Sequence, residues 1–151
     1  MKEEKMSEDN INRINEKIKE VQEYLEKLDE IKTLTLEEYL RNFKVKLMCE
    51  RCVEIIIECL TDLAFLVIKE KKLNTPTDDK QAFDILKEAN IISSELAEKL
   101  KDAKGMRNIL AHEYGKVDDE IVFNAINEEL EKDASTLISS LKKYFKEEKD
   151  G

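Results

Sequence analysis

The chain has few of the residues that interrupt regular structure. Its 151 residues include only three glycines and one proline. Turn-rich sandwiches and barrels, and disordered chains rich in proline and glycine, need many more of both, so the composition excludes these classes. Hydrophobic residues make up 41% of the chain, which is enough for a core. We therefore expect one mostly helical domain over residues 1–151, with an ordered core at about residues 8–145 and frayed termini.

Sequence features that are typical of secreted and membrane proteins are also scarce. Three cysteines, an odd number, cannot all pair within the chain, so no disulfide framework is expected. The first ten residues are charged and do not resemble a signal peptide. Apolar runs such as Ile55–Ile57 are far too short to span a membrane. These features favour a cytoplasmic protein in a reducing compartment, without a membrane partner.

Basic residues are outnumbered by acidic ones. The chain has 26 Lys and Arg against 35 Asp and Glu, so its net charge is 26 − 35 = −9. This balance argues against a protein that coats nucleic acid through its overall charge. The net negative charge does not exclude a local basic cleft, and it is also consistent with a basic protein partner.

Apolar residues recur at helical spacing in the first half of the chain. A helix over about residues 7–32 carries one narrow apolar stripe from Ile11 to Leu28, which must dock on the bundle or on a second copy. Thr35 and Glu38 have the spacing of a capping box. They start a long helix that is apolar on most sides and therefore central. The loop at residues 74–77 ends it.

Three further helices are predicted after this loop. A short one spans about residues 79–88 and ends at Asn90. The next begins near Ser93 or Ser94 and ends before Gly115, which is placed as a left-handed cap. Asp118 caps a last helix that includes Ile121. Together these segments predict an all-α, up-and-down bundle of four main helices plus one short helix.

The single histidine, His112, falls in the last turn of the helix before Gly115. Histidine suits general acid–base chemistry because its pKa lies near neutrality, but a histidine at a helix end also acts as a simple cap.

At 100° per residue, Arg107 and Tyr114 lie on the apolar stripe of this helix, whereas Asn108 and His112 point elsewhere. A straight helix separates Arg107 from His112 by 140° and about 7.5 Å. They converge only around a shared ligand, through the length of the arginine, or across a dimer.

An arginine on an apolar stripe needs an explanation. It either snorkels to solvent or forms a buried ion pair. Carboxylates at i, i+4 spacing on the second helix, from Glu50 through Glu54 and Glu58 to Asp62, favour a solvated face. They also offer a counter-charge for Arg107 or for a basic partner.

Metal sites are not favoured. A di-metal carboxylate bundle needs several histidines, and the chain has one. Cys49 and Cys52 have C-x-x-C spacing, but zinc requires two more ligands, and the sequence has neither a second C-x-x-C pair nor a histidine nearby. These cysteines and Cys59 are predicted to be small buried hydrophobes.

The segment from Arg107 and Asn108 to His112 and Tyr114 resembles the R-N-x-x-x-H-x-Y motif of the HEPN superfamily, and most closely its HepT-like toxin branch. The likeness extends to the second-helix carboxylates and to the short helix after Thr75–Pro76, and it covers about residues 8–145. Lys104–Met106 departs mildly from the apolar-Gly-Phe run that is frequent in the family.

This resemblance implies a homodimer in which the motifs of both chains line one cleft. It implies a metal-independent endoribonuclease that needs no cofactor, within a type II or VII-like toxin–antitoxin pair. Arg107 would hold the scissile phosphate, His112 would handle protons as the RNA 2′-OH attacks, and Asn108 would help to set the site. Tyr114 matches the position that a minimal nucleotidyltransferase antitoxin adenylylates, which would repel RNA.

Two other functions remain open at this point. One is a non-catalytic dimeric HEPN platform that binds the nucleotidyltransferase and is modified by it. The other is a plain helical adaptor that uses the stripe from Ile11 to Leu28. For the toxin, the acidic outer surface suggests a docking face for the antitoxin, while a focused basic cleft, including Arg51 and Arg107, binds RNA.

Overall fold

The computed structural model describes residues 2–150, with side chains described for residues 8–146. This part of the chain forms α helices joined by short loops and contains no strand, which confirms the predicted all-α fold. The predicted fraying of the termini concerns residues outside these described side chains. The helices are α1 (Lys2–Asp29), α2 (Leu36–Arg41), α3 (Phe43–Glu70), α4 (Asp79–Glu88), α5 (Ser94–His112), α6 (Asp119–Asn124) and α7 (Leu130–Asp150).

The helices α1 and α3 pack antiparallel and form the centre of the bundle. Lys17 pairs with Asp62 at 3.3 Å, and Asn10 donates a hydrogen bond to Glu70 at 2.9 Å. The apolar stripe of α1 is buried from Ile14 to Val21 and at Leu28, and Leu25 is half-buried, although Ile11 stays 43% exposed. The stripe therefore docks within its own chain, and the adaptor interpretation loses the surface on which it depended.

The predicted second helix is divided in two at Asn42. The capping box at its start is confirmed, since Thr35 Oγ1 accepts from the Glu38 backbone N–H at 3.1 Å. Asn42 is extended, and its side-chain oxygen accepts from the Val45 N–H at 3.1 Å. The Asn42 side chain thus replaces a helical backbone acceptor and begins a new helix, α3. The apolar pattern of the sequence predicts one continuous helix here.

The helices α4 and α5 begin where the sequence predicted. α4 spans residues 79–88, and Asn90 follows it with a positive φ of 62°. Ser93 caps α5 through the Leu96 N–H at 3.1 Å. The end of α5 differs from the prediction, because Gly115 has no left-handed φ. α5 ends at His112, and a single 3₁₀ turn over Tyr114–Lys116 follows.

The predicted last helix is also interrupted. Asp118 caps α6 as expected, but five residues, Ala125–Glu129, form a π-helical turn before α7 begins. Ile121, expected on the last helix, lies on α6 and is 58% exposed. α7 then packs against α5 and α1 and closes the bundle.

The cysteines of α3 are buried and unpaired, as predicted. Burial raises the pKa of Cys49 to about 12 and that of Cys59 to about 11. Among the described residues there is no group of three or more histidine, cysteine, aspartate or glutamate side chains placed to hold a metal ion. In the same part of the chain, no helix is both long and apolar enough to cross a membrane.

Candidate active site

Helix α5 carries Arg107 against α3. The helix continues without a break through Gly105, so the face predicted for Arg107 is the one observed. Its side chain is 24% exposed, and its Nε atom lies 2.8 Å from Glu58 Oε2. The Nε–H does not point at this oxygen, so the contact is an ion pair rather than a hydrogen bond. Of the two explanations for this arginine, the structure supports a partly buried ion pair.

The carboxylates of α3 are therefore not simply a solvated face. Asp62 pairs with Lys17 of α1, and Glu58 pairs with Arg107 of α5. Glu54 is paired more weakly: its side chain is 18% exposed, and its one ion pair within the described side chains spans 4.0 Å to Arg51, which is 71% exposed. The alternative that this row supplies a counter-charge for Arg107 is correct for Glu58.

The sequence did not identify Lys104 as part of this site. Its side chain is only 4% exposed, and its Nζ atom lies 3.2 Å from Glu58 Oε2 and 2.9 Å from Asp79 Oδ2. Lys104 precedes Arg107 by three residues, so both reach the same carboxylate from one face of α5. That spacing was the one available signal. The sequence could not show that Glu58 and Asp79, at the start of α4, supply the negative charges that compensate for burying the Lys104 ammonium.

The result is a row of alternating charges in the order Asp79, Lys104, Glu58 and Arg107. The row fixes the Arg107 side chain without occupying all of its donors. Nη1 lies 3.4 Å from Asn108 Oδ1, whereas Nη2 makes no hydrogen bond within the described side chains. A guanidinium that is held at Nε and open at Nη2 is prepared to bind an anion.

The remaining motif residues point away from this row. His112 is exposed at the last position of α5, five residues after Arg107, so the helix places it 140° around and about 7.5 Å further along. Within the described chain no contact joins the two. Tyr114 was predicted to lie on the apolar stripe, which is wrong: the helix has already ended, and Tyr114 is 78% exposed.

An exposed apolar patch, formed by Phe43 and Leu47 at i, i+4 spacing, lies at the start of α3, and Ile121 is exposed on α6. These side chains are 68%, 50% and 58% exposed. An ion pair at 3.1 Å between Lys46 and Asp119 joins the two helices that carry them. At i, i+4 spacing, the α3 face that begins with Phe43 and Leu47 continues toward Glu58. The patch and the charged row therefore share one side of α3, which the sequence did not indicate.

Comparison with known proteins identifies the family. A model of the ribonuclease HepT-like family matches residues 21–144 of the chain. The chain belongs to the ribonuclease HepT-like family. This membership confirms the resemblance noted from the motif and places the HepT-like chain among ribonucleases by class.

Two relatives of this HepT-like chain carry names that state an activity. A tRNA nuclease HepT from Aphanizomenon flos-aquae is 31% identical over 104 residues, which are 69% of this chain and 71% of that protein. An mRNA nuclease HepT from Shewanella oneidensis is 31% identical over 87 residues, which are 58% of this chain and 62% of that protein. The two names give different RNA substrates.

A solved structure shows the same fold. It is a tri-AMPylated HEPN toxin from Shewanella oneidensis in complex with an MNT antitoxin. The TM-score is 0.80 at 22% sequence identity, over 86% of this chain and 96% of that one. The likeness confirms the HEPN fold of the HepT-like chain.

Proposed function

We propose that this chain is a cytoplasmic, metal-independent endoribonuclease toxin of a toxin–antitoxin pair, neutralised by a nucleotidyltransferase antitoxin. The observation that carries this proposal is the geometry of Arg107. Glu58 holds its guanidinium at Nε while Nη2 remains open, in a chain of a ribonuclease family. The names of the two HepT nucleases support RNA as the substrate.

In the proposed reaction the RNA 2′-OH attacks the adjacent phosphorus. The bond from the 2′ oxygen to phosphorus forms while the bond from phosphorus to the 5′ oxygen breaks, which leaves a 2′,3′-cyclic phosphate and a 5′-OH. Arg107 binds a non-bridging oxygen and stabilises the charge that develops there. His112 handles the proton transfer at the 2′-OH or at the leaving oxygen. Asn108 keeps Nη1 occupied, so that Nη2 is the donor that meets the phosphate.

The proposed enzyme is a homodimer with the motifs of both chains in one cleft. Two features support this. Arg107 and His112 lie on different sides of α5 in one chain, so a second chain offers the simplest way to bring an arginine and a histidine to one phosphate. The apolar patch of Phe43 and Leu47 provides a surface that a second copy would bury, on the side of α3 that leads to Glu58.

Mixing two inactive variants tests whether the cleft is composite. Arg107→Ala and His112→Ala chains are unfolded together and refolded as a mixture, and RNA cleavage is compared with that of each variant alone. If one site takes Arg107 from one chain and His112 from the other, a heterodimer contains one intact site and cleavage returns. Continued inactivity of a heterodimer that is shown to form would contradict the composite cleft.

We propose Tyr114 as the residue that the antitoxin adenylylates. Its 78% exposure supports this, because a transferase can reach the phenol without unfolding the chain. The added phosphate is negative and bulky and lies seven residues beyond Arg107, so RNA phosphates would be repelled. The net charge of −9 suggests that the acidic outer surface docks the antitoxin. Insensitivity of antitoxin binding to added salt would exclude that docking mode.

The function is tested by expressing the chain without its antitoxin. The native chain should arrest growth and cleave cellular RNA, and His112→Ala should do neither while remaining folded and dimeric. Lys116→Ala, at an exposed position near Tyr114, is the matched control and should behave as the native chain does. Absence of RNA cleavage by a soluble native dimer, together with modification that Tyr114→Phe blocks, would instead establish a non-catalytic platform.

A further inference from the structure

A cavity of about 390 Å³ lies between α5 and the π-helical turn that precedes α7. It is separate from the charged row of Arg107, because its α5 wall is formed by the side of the helix that carries Ala103 and Met106. On the opposite wall lie Ala125 and Leu130, at the two ends of the π turn. Nothing in the proposed ribonuclease reaction uses this cavity.

Asp133 lines this cavity and has no partner. Its residue surface is 8% exposed, and it makes no hydrogen bond or ion pair within the described side chains. Burial raises its pKa, as do the nearby carboxylates of Glu129 and Glu95, while Lys99 and Lys132 act in the opposite direction. Buried carboxylates in native proteins are normally paired or hydrogen-bonded, so the Asp133 oxygens, which reach the cavity, are available to accept hydrogen bonds from a group bound there.

The π-helical turn is a second, independent observation at the same place. Glu128 and Glu129 of this turn line the cavity together with Ala125. Such turns are rare within helices and are frequently found at functional sites. The turn interrupts a helix that the sequence pattern predicts to be continuous, and it does so directly before the segment that carries Asp133.

The lining of the cavity indicates the charge of its ligand. Four carboxylates line it, those of Asp133, Asp102, Glu128 and Glu129, against two lysines, Lys99 and Lys132. The lining charge is thus 2 − 4 = −2, and the walls between these charges are aliphatic. An ammonium group on a short aliphatic chain satisfies both features, since it donates to Asp133 and places its methylenes against the alanines and Met106.

We propose that this cavity binds an alkylammonium group, whose nitrogen donates hydrogen bonds to Asp133. The group comes either from a free aliphatic diamine or from a lysine side chain of a protein, and the chemistry at Asp133 is the same for both. The site is independent of the proposed ribonuclease reaction, so its test requires no RNA.

The test titrates purified protein with putrescine, n-butylamine and Nα-acetyl-lysine amide, followed by ¹H–¹⁵N NMR at physiological salt. We expect saturable binding, with shifts confined to α5 near Met106 and to the π turn. Asp133→Asn should weaken this binding about tenfold or more, because it removes the charged acceptor. Asp9→Asn, at an exposed position of α1, removes the same charge and should leave binding unchanged.

Folding does not confound the comparison. Asp133→Asn removes a desolvated charge, so its melting temperature should equal or exceed that of the native chain. Tighter binding of putrescine than of n-butylamine would identify a free diamine, and equal binding of n-butylamine and the lysine amide would identify a protein side chain. Lack of saturation with all three probes, or an equal loss in both aspartate variants, would overturn the proposal.

Discussion

Removal of the Glu58 carboxylate should destabilise the fold as well as the site. Its Oε2 atom lies 2.8 Å from Arg107 Nε and 3.2 Å from Lys104 Nζ. Glu58→Gln leaves Arg107 without a counter-charge and leaves Lys104, with a side chain only 4% exposed, to Asp79 alone. At an effective dielectric constant of about 20, the lost attraction is about 6 kcal/mol to Arg107 and about 5 kcal/mol to Lys104 before desolvation is counted.

The net cost is much smaller than these attractions. Exposed pairs contribute about 0–1 kcal/mol, whereas removal of one partner of a buried pair costs about 3–5 kcal/mol. Glu58 is 40% exposed and its two partners are 24% and 4% exposed, so the site lies between these limits. We expect a loss of about 2 kcal/mol in the free energy of unfolding.

Urea denaturation at one fixed protein concentration measures this loss. Glu54→Gln is the matched control, because it removes the same charge one helical turn earlier from a side chain that is 18% exposed and whose ion pair, to the 71% exposed Arg51, is long at 4.0 Å. The control should lose less than about 0.5 kcal/mol. If the Glu54 and Glu58 variants agree to within about 0.5 kcal/mol, the charged row does not hold α5 against α3 and the reasoning is refuted.

Three further predictions concern single features of the fold. Gly105→Ala should raise the free energy of unfolding by about 0.5–1 kcal/mol, since the new Cβ would lie 3.5 Å from the flexible Lys80 Nζ inside a regular helix; a lower urea midpoint would contradict this. Tyr39→Phe should be neutral or stabilising by about 1 kcal/mol, because the buried Tyr39 hydroxyl has no hydrogen-bond partner; destabilisation in thermal melts would show that it has one. The raised pKa values of Cys49 and Cys59, about 12 and about 11 against 9.0 for an ordinary thiol, mean that the unfolded chain releases these protons first. Stability should therefore fall as pH rises above 9, and replacing both cysteines by alanine should flatten this fall between about pH 9 and about pH 11; an unchanged slope would argue against the shifts.

Local signals predicted most of the helix boundaries. The capping box at Thr35, the N-caps at Ser93 and Asp118, and the end of α4 at Asn90 each depend on a few neighbouring residues. The two helix interruptions that the sequence did not predict have a different origin. Asn42 and the π turn interrupt helices whose apolar pattern runs on without a break, so periodicity alone could not detect them.

The candidate site was predicted by motif rather than by geometry. Arg107 lies on the predicted face, and its counter-charge was among the candidates on α3. Tyr114 was misplaced because helical phase was extended past the end of α5 at His112. Lys104 was missed because its burial depends on two carboxylates, 25 and 46 residues away in the chain, and such long-range pairing leaves no local pattern.

The most direct test of the account is RNA cleavage by the purified chain in the presence of a metal chelator. We predict cleavage products that end in a 2′,3′-cyclic phosphate, and no cleavage by His112→Ala or Arg107→Ala under the same conditions. A substrate with a 2′-deoxy sugar at the cleavage position should remain intact. Cleavage that requires an added metal ion, that proceeds without the 2′-OH, or that survives in both variants would contradict the proposed ribonuclease.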